Sequence, residues 1–288
     1  MSSAARFSPV AIIGPGLIGG SLGLALRARA PEVEIRVWSR NEAPLETVRQ
    51  LGFADIASTD LPAIVTGARC VVLCTPVEVM PALAAQFAAS LSPAAVVTDA
   101  GSVKGVVGDT LPPILGDRFL GAHPIAGSDR AGIEASSADL YDGATCVVTP
   151  TETTQPDTLA VVRDLWETAG CRIVEMTAAA HDAALARTSH LPHTVASALA
   201  ACIDRSVPDA DWPHLAGGGY RDSTRIALGH PDLWTGILEA NRHEISTSIA
   251  ELTEILQNIR AALESGDTAA IHALLAEGRS ARQKFDVF

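Results

Sequence analysis

Short apolar runs alternate with helix-favouring stretches over the first part of the chain. Each run is rich in Val, Ile or Leu and is followed by Gly, Pro, Ser or Asp, as buried strands usually are. Continuous apolar strands separated by helices predict a parallel sheet that is covered on both faces. The predicted strands are Val10–Ile13, Ile35–Trp38, Cys70–Cys74, Val96–Asp99, Phe119–Ala122, Cys146–Thr149 and Arg172–Glu175, with a helix over Thr158–Ala169.

The pattern changes after about Met176, where no further strand is indicated. Residues 177–207 are rich in alanine and favour a helix that Pro192 interrupts, and more helical sequence follows a loop of Pro, Trp and Gly. We therefore expect an α/β, Rossmann-type doubly wound and mostly parallel sheet in residues 1–176, and an all-α domain in residues 177–288. Long helices need a partner for their apolar faces, so we expect a homodimer through the helical domain.

Composition narrows the class of protein. The 288 residues are 48% hydrophobic and 19% charged, which predicts a folded core. A net charge of −12 argues against a nucleic-acid partner, although a local cation can still bind an acidic small molecule. Five scattered cysteines favour reduced thiols in a cytoplasmic protein, and no apolar run is long enough for a membrane span.

A glycine-rich turn follows the first predicted strand. Gly14-Pro15-Gly16-Leu17-Ile18-Gly19 has the spacing of a dinucleotide-binding fingerprint, with a predicted helix after it. Gly14 allows the tight turn, Gly16 lets the backbone approach a pyrophosphate, and Gly19 lets the helix pack against the sheet. The helix N-terminus then presents free N–H groups to the phosphates. The turn predicts a nicotinamide-dependent oxidoreductase.

The end of the second strand bears on the choice between NAD and NADP. An acid at this point binds the ribose hydroxyls of NAD, whereas an Arg accommodates the phosphate of NADP. Here Ser39 stands in the place of the acid and Arg40 follows it, which favours NADP and leaves NAD open. Thr75 and Pro76, after a later strand, are also expected to contact the cofactor.

Two further segments carry candidate chemistry at strand ends. Ser102 and Lys104 follow Asp99 and are expected to reach the crevice between cofactor and substrate, although Ser102 would serve equally as a helix cap. His123 follows the next strand beside a rigid proline. An imidazole with an ordinary pKa near 6.5 is suited to take a proton from an alcohol while a hydride leaves.

The helical part supplies more histidines and arginines. His190 and His193 are three residues apart and would share a helix face, but no zinc motif accompanies them. Arg221 and Arg225 follow a run of three glycines, and Arg is the preferred residue for gripping a carboxylate. The simpler explanation for Arg221 is a charged side chain that faces solvent, and the same explanation is an alternative for Arg225.

Together these segments resemble the prephenate/arogenate dehydrogenase family of tyrosine biosynthesis. The matching stretches are GPGLIGGSL, DAGSVKG, GAHPIAGSDRAG, ARTSHLPH and GGGYRDSTRIA followed by HPDLW, in family order from residue 14 to about 241. The resemblance implies oxidative decarboxylation of a cyclohexadienol, as in the conversion of prephenate to 4-hydroxyphenylpyruvate. It leaves open whether prephenate or arogenate is preferred.

The resemblance also implies roles for individual residues. His123 would accept the proton of the ring hydroxyl, with Ser102 assisting and orienting it. Arg225 would bind a substrate carboxylate, and His193 would contact the side-chain end of the substrate. The remaining positions implied for the substrate pocket are His181, Asp182, Asp129 and Trp234. We expect no metal ion, because no zinc motif is present, and neither a fused chorismate mutase nor a ligand-sensing domain of the ACT type.

Two alternatives have the same general architecture. A 3-hydroxyacid dehydrogenase or imine reductase would combine a Rossmann domain with a helical dimer, but usually depends on a Lys or Asp where this chain has histidines. A non-catalytic NADP-binding sensor would bind the dinucleotide tightly without turnover. It leaves His123, His193 and Arg225 unexplained.

Overall fold

The computed structural model describes residues 3–127, 130–206 and 212–285. Its strands within these ranges are β1 (Val10–Ile13), β2 (Ile35–Trp38), β3 (Ile56–Ser58), β4 (Cys70–Leu73), β5 (Val96–Asp99), β6 (Phe119–Leu120), β7 (Ala122–Ile125), β8 (Thr145–Val148) and β9 (Arg172–Glu175).

The first six strands form one parallel sheet in the order β3-β2-β1-β4-β5-β6. This order is that of a doubly wound Rossmann sheet, and helices alone follow β9 in the described part of the chain. The predicted fold class is therefore confirmed. The three-residue β3 was missed because it is short and partly exposed, so no apolar run marks it.

Burial on both faces explains why the strands read as continuous apolar runs. In β1, Val10 and Ile12 pack into one hydrophobic cluster, whereas Ala11 and Ile13 pack into another. Successive side chains of a strand point to opposite faces, so two apolar layers require an apolar residue at every position. All four side chains of β1 are fully buried.

The predicted strand Phe119–Ala122 is wrong in one respect, because the chain changes sheets at Gly121. β6 ends the large sheet, and β7 joins β8 and β9 in a second sheet of three strands. The N–H of Ala122 donates to Oδ1 of Asp99 at 3.1 Å instead of continuing the ladder with β5. A Cβ on Gly121 would lie only 2.7 Å from Oγ1 of Thr149, so glycine fits this crossing.

The helices of the described residues fill the connections and the C-terminal part. They are α1 (Leu17–Arg29), α2 (Glu42–Leu51), α3 (Leu61–Val65), α4 (Met80–Phe87), α5 (Gly105–Thr110), α6 (Pro112–Leu115), α7 (Pro156–Ala169), α8 (Ala178–Leu185), α9 (Leu191–Ser206), α10 (Gly218–Thr224), α11 (Pro231–Ala240), α12 (Arg242–Ser265) and α13 (Thr268–Phe285). None of them is long and apolar enough to cross a membrane.

The chain forms two compact units, Met1–Asn241 and Arg242–Phe288. In the second unit, α12 and α13 pack against each other across a turn at Gly266. The sequence-based division of the chain after residue 176 stays a prediction.

A π-helical segment, Ala186–His190, joins α8 to α9. The interruption expected at Pro192 lies just before it, and Pro192 itself falls in the first turn of α9. Proline has no N–H to donate to the preceding turn, so a change of hydrogen-bond register immediately before it costs little. The segment carries Ser189 and His190, both of which line the cavity described below.

Candidate active site

The strand order places a crevice between β1 and β4, where the connections leave in opposite directions. The loop after β1 begins at Gly14, whose N–H donates to the carbonyl of Trp38 at 3.0 Å. The loop after β4 begins at Cys74, whose N–H donates to the carbonyl of Ile13 at 2.8 Å. Both loops are therefore held at the carboxyl edge of the sheet.

The three glycines of the fingerprint have different surroundings. Gly14 has a φ of +100°, and a Cβ there would lie 2.9 Å from the carbonyl oxygen of Cys74. A Cβ on Gly19 would lie 2.2 Å from the carbonyl oxygen of Gly14, whereas one on Gly16 would meet nothing within 4 Å. Packing within the protein therefore requires the first and last glycines. The space beside Gly16 is open to a bound group.

That open space suits the pyrophosphate of a dinucleotide. Gly16 is the N-cap of α1 and makes no side-chain cap, so the first N–H groups of the helix face outward with the positive end of its dipole. Thr75 Oγ1 is buried and has no hydrogen-bond partner among the described residues. Buried hydroxyls are usually paired, and a molecule bound in the crevice can supply the missing partner. The residues present therefore fit the predicted cofactor.

Among the described residues that follow β2, no carboxylate is free of an ion pair up to Glu42. Ser39 is buried, and its Oγ accepts the N–H of Asn41 at 3.4 Å, whereas Arg40 is exposed. The first acid beyond the strand, Glu42, begins α2 and pairs with Arg49 at 2.6 Å.

A cavity of about 720 Å³ extends from the glycine turn and lies within the first unit. This volume is in the range of small-molecule sites. The predicted site residues that line it are Gly16, Leu17, Ile18, Thr75, Pro76, Ser102, His123 and Trp234. The predicted cofactor residues and the predicted base thus share one cavity.

The expectation that Lys104 reaches the crevice is wrong, because its amine is fully buried behind the cavity. Its Nζ forms an ion pair with Asp99 and donates to the carbonyl of Ala122 at 2.7 Å. Asp99 in turn accepts the N–H of Ala122 and, at 2.8 Å, that of Gly101. The ion pair therefore holds both backbone groups of the residue before His123.

His123 is the first member of a chain of three side chains. Its Nδ1 lies 2.8 Å from Nε2 of His181, and Nδ1 of His181 lies 2.8 Å from Oδ1 of Asp182. The carboxylate also accepts the N–H groups of Lys104 at 2.8 Å and Gly105 at 2.7 Å. His181 and Asp182 are thus buried behind His123 and are not part of the cavity wall.

The carboxylate of Asp182 determines the hydrogen positions on the two histidines that are hydrogen-bonded in series to it. An ionised carboxylate only accepts, so the hydrogen of His181 lies on Nδ1 and its Nε2 is the acceptor. His123 then donates through Nδ1 and keeps the lone pair of its Nε2. The His123 ring therefore lines the cavity with one nitrogen fixed as a donor and the other available as a base.

Burial and charge adjust the proton affinities of the chain. Burial lowers the pKa of His123 well below 6.5, and the nearby positive charge of Lys104 lowers it further. Burial alone would raise the pKa of Asp182, but hydrogen bonds from His181 and from the two backbone N–H groups outweigh it and leave the pKa lowered. The resting site therefore holds a neutral His123 and an ionised Asp182 near pH 7.

The aromatic wall of the cavity is Trp234, which His193 supports from behind. The two rings stack with centroids 3.5 Å apart and an interplanar angle of 11°. His193 is 5% exposed and does not line the cavity. A Cβ on Gly229 would lie 2.5 Å from Nε1 of Trp234 and 2.7 Å from Cε1 of His193, so the backbone closes tightly on this stack.

The structure does not bring every predicted residue to the cavity. Arg225 is exposed in a 3-10 turn and does not line it. Asp129 lies outside the described residues. Ser39 and Arg40 stand at the end of β2 and not on the cavity wall, and Gly14 and Gly19 lie behind the turn.

Three residues of this region were not predicted. His190 lines the cavity, and Asn241 contacts His190. Arg130 is the arginine among the described residues that line the cavity. The pairing of His190 with His193 on one helix face was a signal, but the π segment turns only His190 to the cavity. Nothing in the local sequence around Asn241 indicates its contact.

Comparisons with known proteins agree with this architecture. Residues 22–175 match the model of the prephenate dehydrogenase nucleotide-binding domain, and residues 177–277 match that of the prephenate dehydrogenase dimerization domain. A cyclohexadienyl dehydrogenase of Zymomonas mobilis is 34% identical over 91% of this chain and 90% of its own length.

Solved structures give the same result. Prephenate dehydrogenase from Aquifex aeolicus, in complex with hydroxyphenyl propionate and NAD+, superposes with a TM-score of 0.91 at 32% identity, covering 96% of this chain and 98% of that chain. Synechocystis arogenate dehydrogenase superposes with a TM-score of 0.83 at 31% identity, covering 96% and 99%. The chain, with its dinucleotide turn, its buried histidine pair and its helical C-terminal part, therefore belongs to the prephenate/arogenate dehydrogenase family.

Proposed function

We propose that this protein is an NAD(P)-dependent dehydrogenase that oxidatively decarboxylates prephenate or arogenate. The observation that carries the proposal is the Asp182–His181–His123 chain, which ends on the cavity that begins at the dinucleotide turn. A base at this place can take the proton of an alcohol whose carbon gives up a hydride to the cofactor. The aromatic wall of Trp234 suits a six-membered ring.

The proposed reaction assigns a task to the cofactor, to His123 and to Ser102. The bound nicotinamide supplies the hydride acceptor. Nε2 of His123 takes the proton of the ring hydroxyl, and the positive charge that forms on the ring is offset through His181 by the carboxylate of Asp182. Ser102 lines the same cavity and orients the hydroxyl. The bond to the ring carboxylate breaks, its electron pair completes the aromatic ring, and carbon dioxide leaves. The ring oxygen then takes the proton back from His123.

We also propose a homodimer built by the helical part of the chain. The match to a dimerization domain supports it, as do exposed apolar side chains on the last two helices. These side chains are Ile255, Leu256, Leu263 and Leu275, each at least half exposed in the single chain. Water-exposed apolar patches of this kind commonly mark contact surfaces. A monomeric mass in sedimentation would contradict this assembly.

The test of the activity is a set of steady-state rates with prephenate and arogenate, each with NAD+ and NADP+. We expect turnover of at least one substrate and a higher kcat/KM with NADP+, because Arg40 can pair with a phosphate and Glu42 is held by Arg49. Absence of turnover in all four combinations would contradict the proposed function.

Arg40→Gln should lower kcat/KM for NADP+ by about 10- to 100-fold, the size of a lost charge-assisted bond, and leave kcat/KM for NAD+ nearly unchanged.

Gly16→Ala and Gly19→Ala form a matched pair for the cofactor site. A methyl group at position 16 enters open space, so the free energy of unfolding should change little while the affinity for NAD(P) falls. A methyl group at position 19 meets the backbone of Gly14, so this variant should lose about 1–3 kcal/mol of stability. Chemical denaturation and titration of the dinucleotide measure the two effects. Equal cofactor affinity in wild type and Gly16→Ala would mean that the pyrophosphate does not bind beside Gly16.

His123→Asn should lower kcat by about 10²- to 10⁴-fold, because the variant has no base at the place of Nε2. Cofactor affinity should stay near that of the wild type. In the wild type, a lowered pKa of His123 keeps the ring neutral down to acidic pH, so the acid limb of kcat/KM should lie below pH 6.5. A variant that retains near-normal kcat, or an acid limb above pH 6.5, would remove His123 from this role.

Arg225→Gln should raise the KM of the substrate by about 10- to 100-fold, because a charge-assisted contact with a carboxylate is lost. Arg225 stands four residues before Gly229, which lines the cavity, and its exposed side chain leaves it accessible to a ligand. Arg130→Gln is the comparison, since Arg130 lines the cavity itself. If the KM rises in the Arg130 variant alone, the substrate carboxylate is bound by Arg130 and not by Arg225.

A further inference from the structure

His190 stands in the cavity without a part in the reaction described so far. It ends the π segment between α8 and α9, is 1% exposed and lines the cavity together with Ser189 and Trp234. It lines the same cavity as His123, so its chemistry depends on which of its nitrogens carries the hydrogen.

The hydrogen bonds of Asn241 determine which nitrogen of His190 carries the hydrogen. Its side-chain Nδ2 donates to the backbone carbonyl of Asp182 at 2.9 Å, and because a carbonyl only accepts, the nitrogen of the amide must face it. The same Nδ2 lies 3.2 Å from Nδ1 of His190. An amide nitrogen only donates, so Nδ1 of His190 is the acceptor. The hydrogen of the neutral ring therefore sits on Nε2.

The ring is also neutral at physiological pH. Burial lowers the pKa of His190 to about 4, although the charge of Asp182 acts in the opposite direction. His190 therefore offers one N–H donor and no positive charge.

This donor has no acceptor within the described part of the protein. Nε2 of His190 is buried and makes no hydrogen bond. The indole nitrogen of Trp234, whose ring lies edge-to-face with that of His190 at 6.3 Å between centroids, does not serve, because an indole N–H only donates. A buried N–H without an acceptor is costly, and native proteins rarely leave one unsatisfied unless a ligand completes it.

We propose that His190 is a substrate-binding residue whose Nε2–H donates to a carboxylate or carbonyl oxygen of the cyclohexadienyl substrate, and that Asn241 is the positioning residue that sets its tautomer. This inference rests on the proposed function for the identity of the substrate. The cavity then holds two neutral histidines in opposite roles. His123 presents a lone pair to the hydroxyl, whereas His190 presents a hydrogen to an oxygen that carries negative charge.

The matched variants are His190→Gln and His190→Asn. Glutamine can place an amide N–H near the position of Nε2, whereas asparagine places it near Nδ1 and leaves the cavity without the donor. We expect His190→Asn to raise the KM of the substrate by about 10- to 100-fold and His190→Gln to raise it by less than about threefold, with the KM of NAD(P)+ unchanged in both. A merely structural role of the ring would make the two variants equally poor. Equal substrate KM in wild type and both variants, or equal losses, would overturn the inference.

The tautomer is measured directly on the wild-type protein by NMR of ¹⁵N-labelled histidine. We expect Nε2 of His190 to carry the hydrogen, and a hydrogen on Nδ1 would overturn the inference without any substitution. Asn241→Leu removes the donor that faces Nδ1, so part of the hydrogen should move to Nδ1 and the substrate KM should rise. An active wild type with unaffected variants contradicts this inference alone. A wild type that turns over neither prephenate nor arogenate contradicts the proposed function.

Discussion

The carboxylate of Asp182 is the interaction on which the site depends. It accepts hydrogen bonds from His181 beside it and from the backbone of Lys104 and Gly105, which lie 78 and 77 residues earlier in the chain. One side chain thus joins the first helix after the Rossmann sheets to the loop after β5, and also determines the hydrogen positions on two histidines. Loss of this carboxylate would loosen the loop and leave the tautomer of His123 undetermined.

The buried Asp99–Lys104 pair is the second constraint, and it acts on the backbone. Both side chains are removed from water, which is costly unless every remaining donor and acceptor is satisfied. The pair meets this condition by binding the N–H and the carbonyl of Ala122 and the N–H of Gly101. Its effect is to turn the chain from the large sheet into the second sheet immediately before His123.

These two constraints give the histidines of the cavity different chemistry. His123 is tied through His181 to a carboxylate and keeps a lone pair, whereas His190 is tied to an amide nitrogen and keeps a hydrogen. Burial lowers the pKa of both rings, so each is neutral near pH 7. A site of this kind can accept a proton from one oxygen of a substrate and donate a hydrogen bond to another.

Local sequence patterns predict the Rossmann sheet, the dinucleotide turn and the placing of Ser102, His123 and Trp234 on the cavity. Each of these depends on apolar runs, on glycine spacing or on a short motif. The sequence by itself could not determine that Lys104 turns inward, that the chain changes sheets at Gly121, or that His190 rather than His193 faces the cavity. Those outcomes depend on contacts between residues far apart in the sequence, made by Asp99 and Asp182, and on the π segment. Only the tertiary structure brings Asn241 to His190, because a hydrogen bond between residues 51 positions apart leaves no trace in either local sequence.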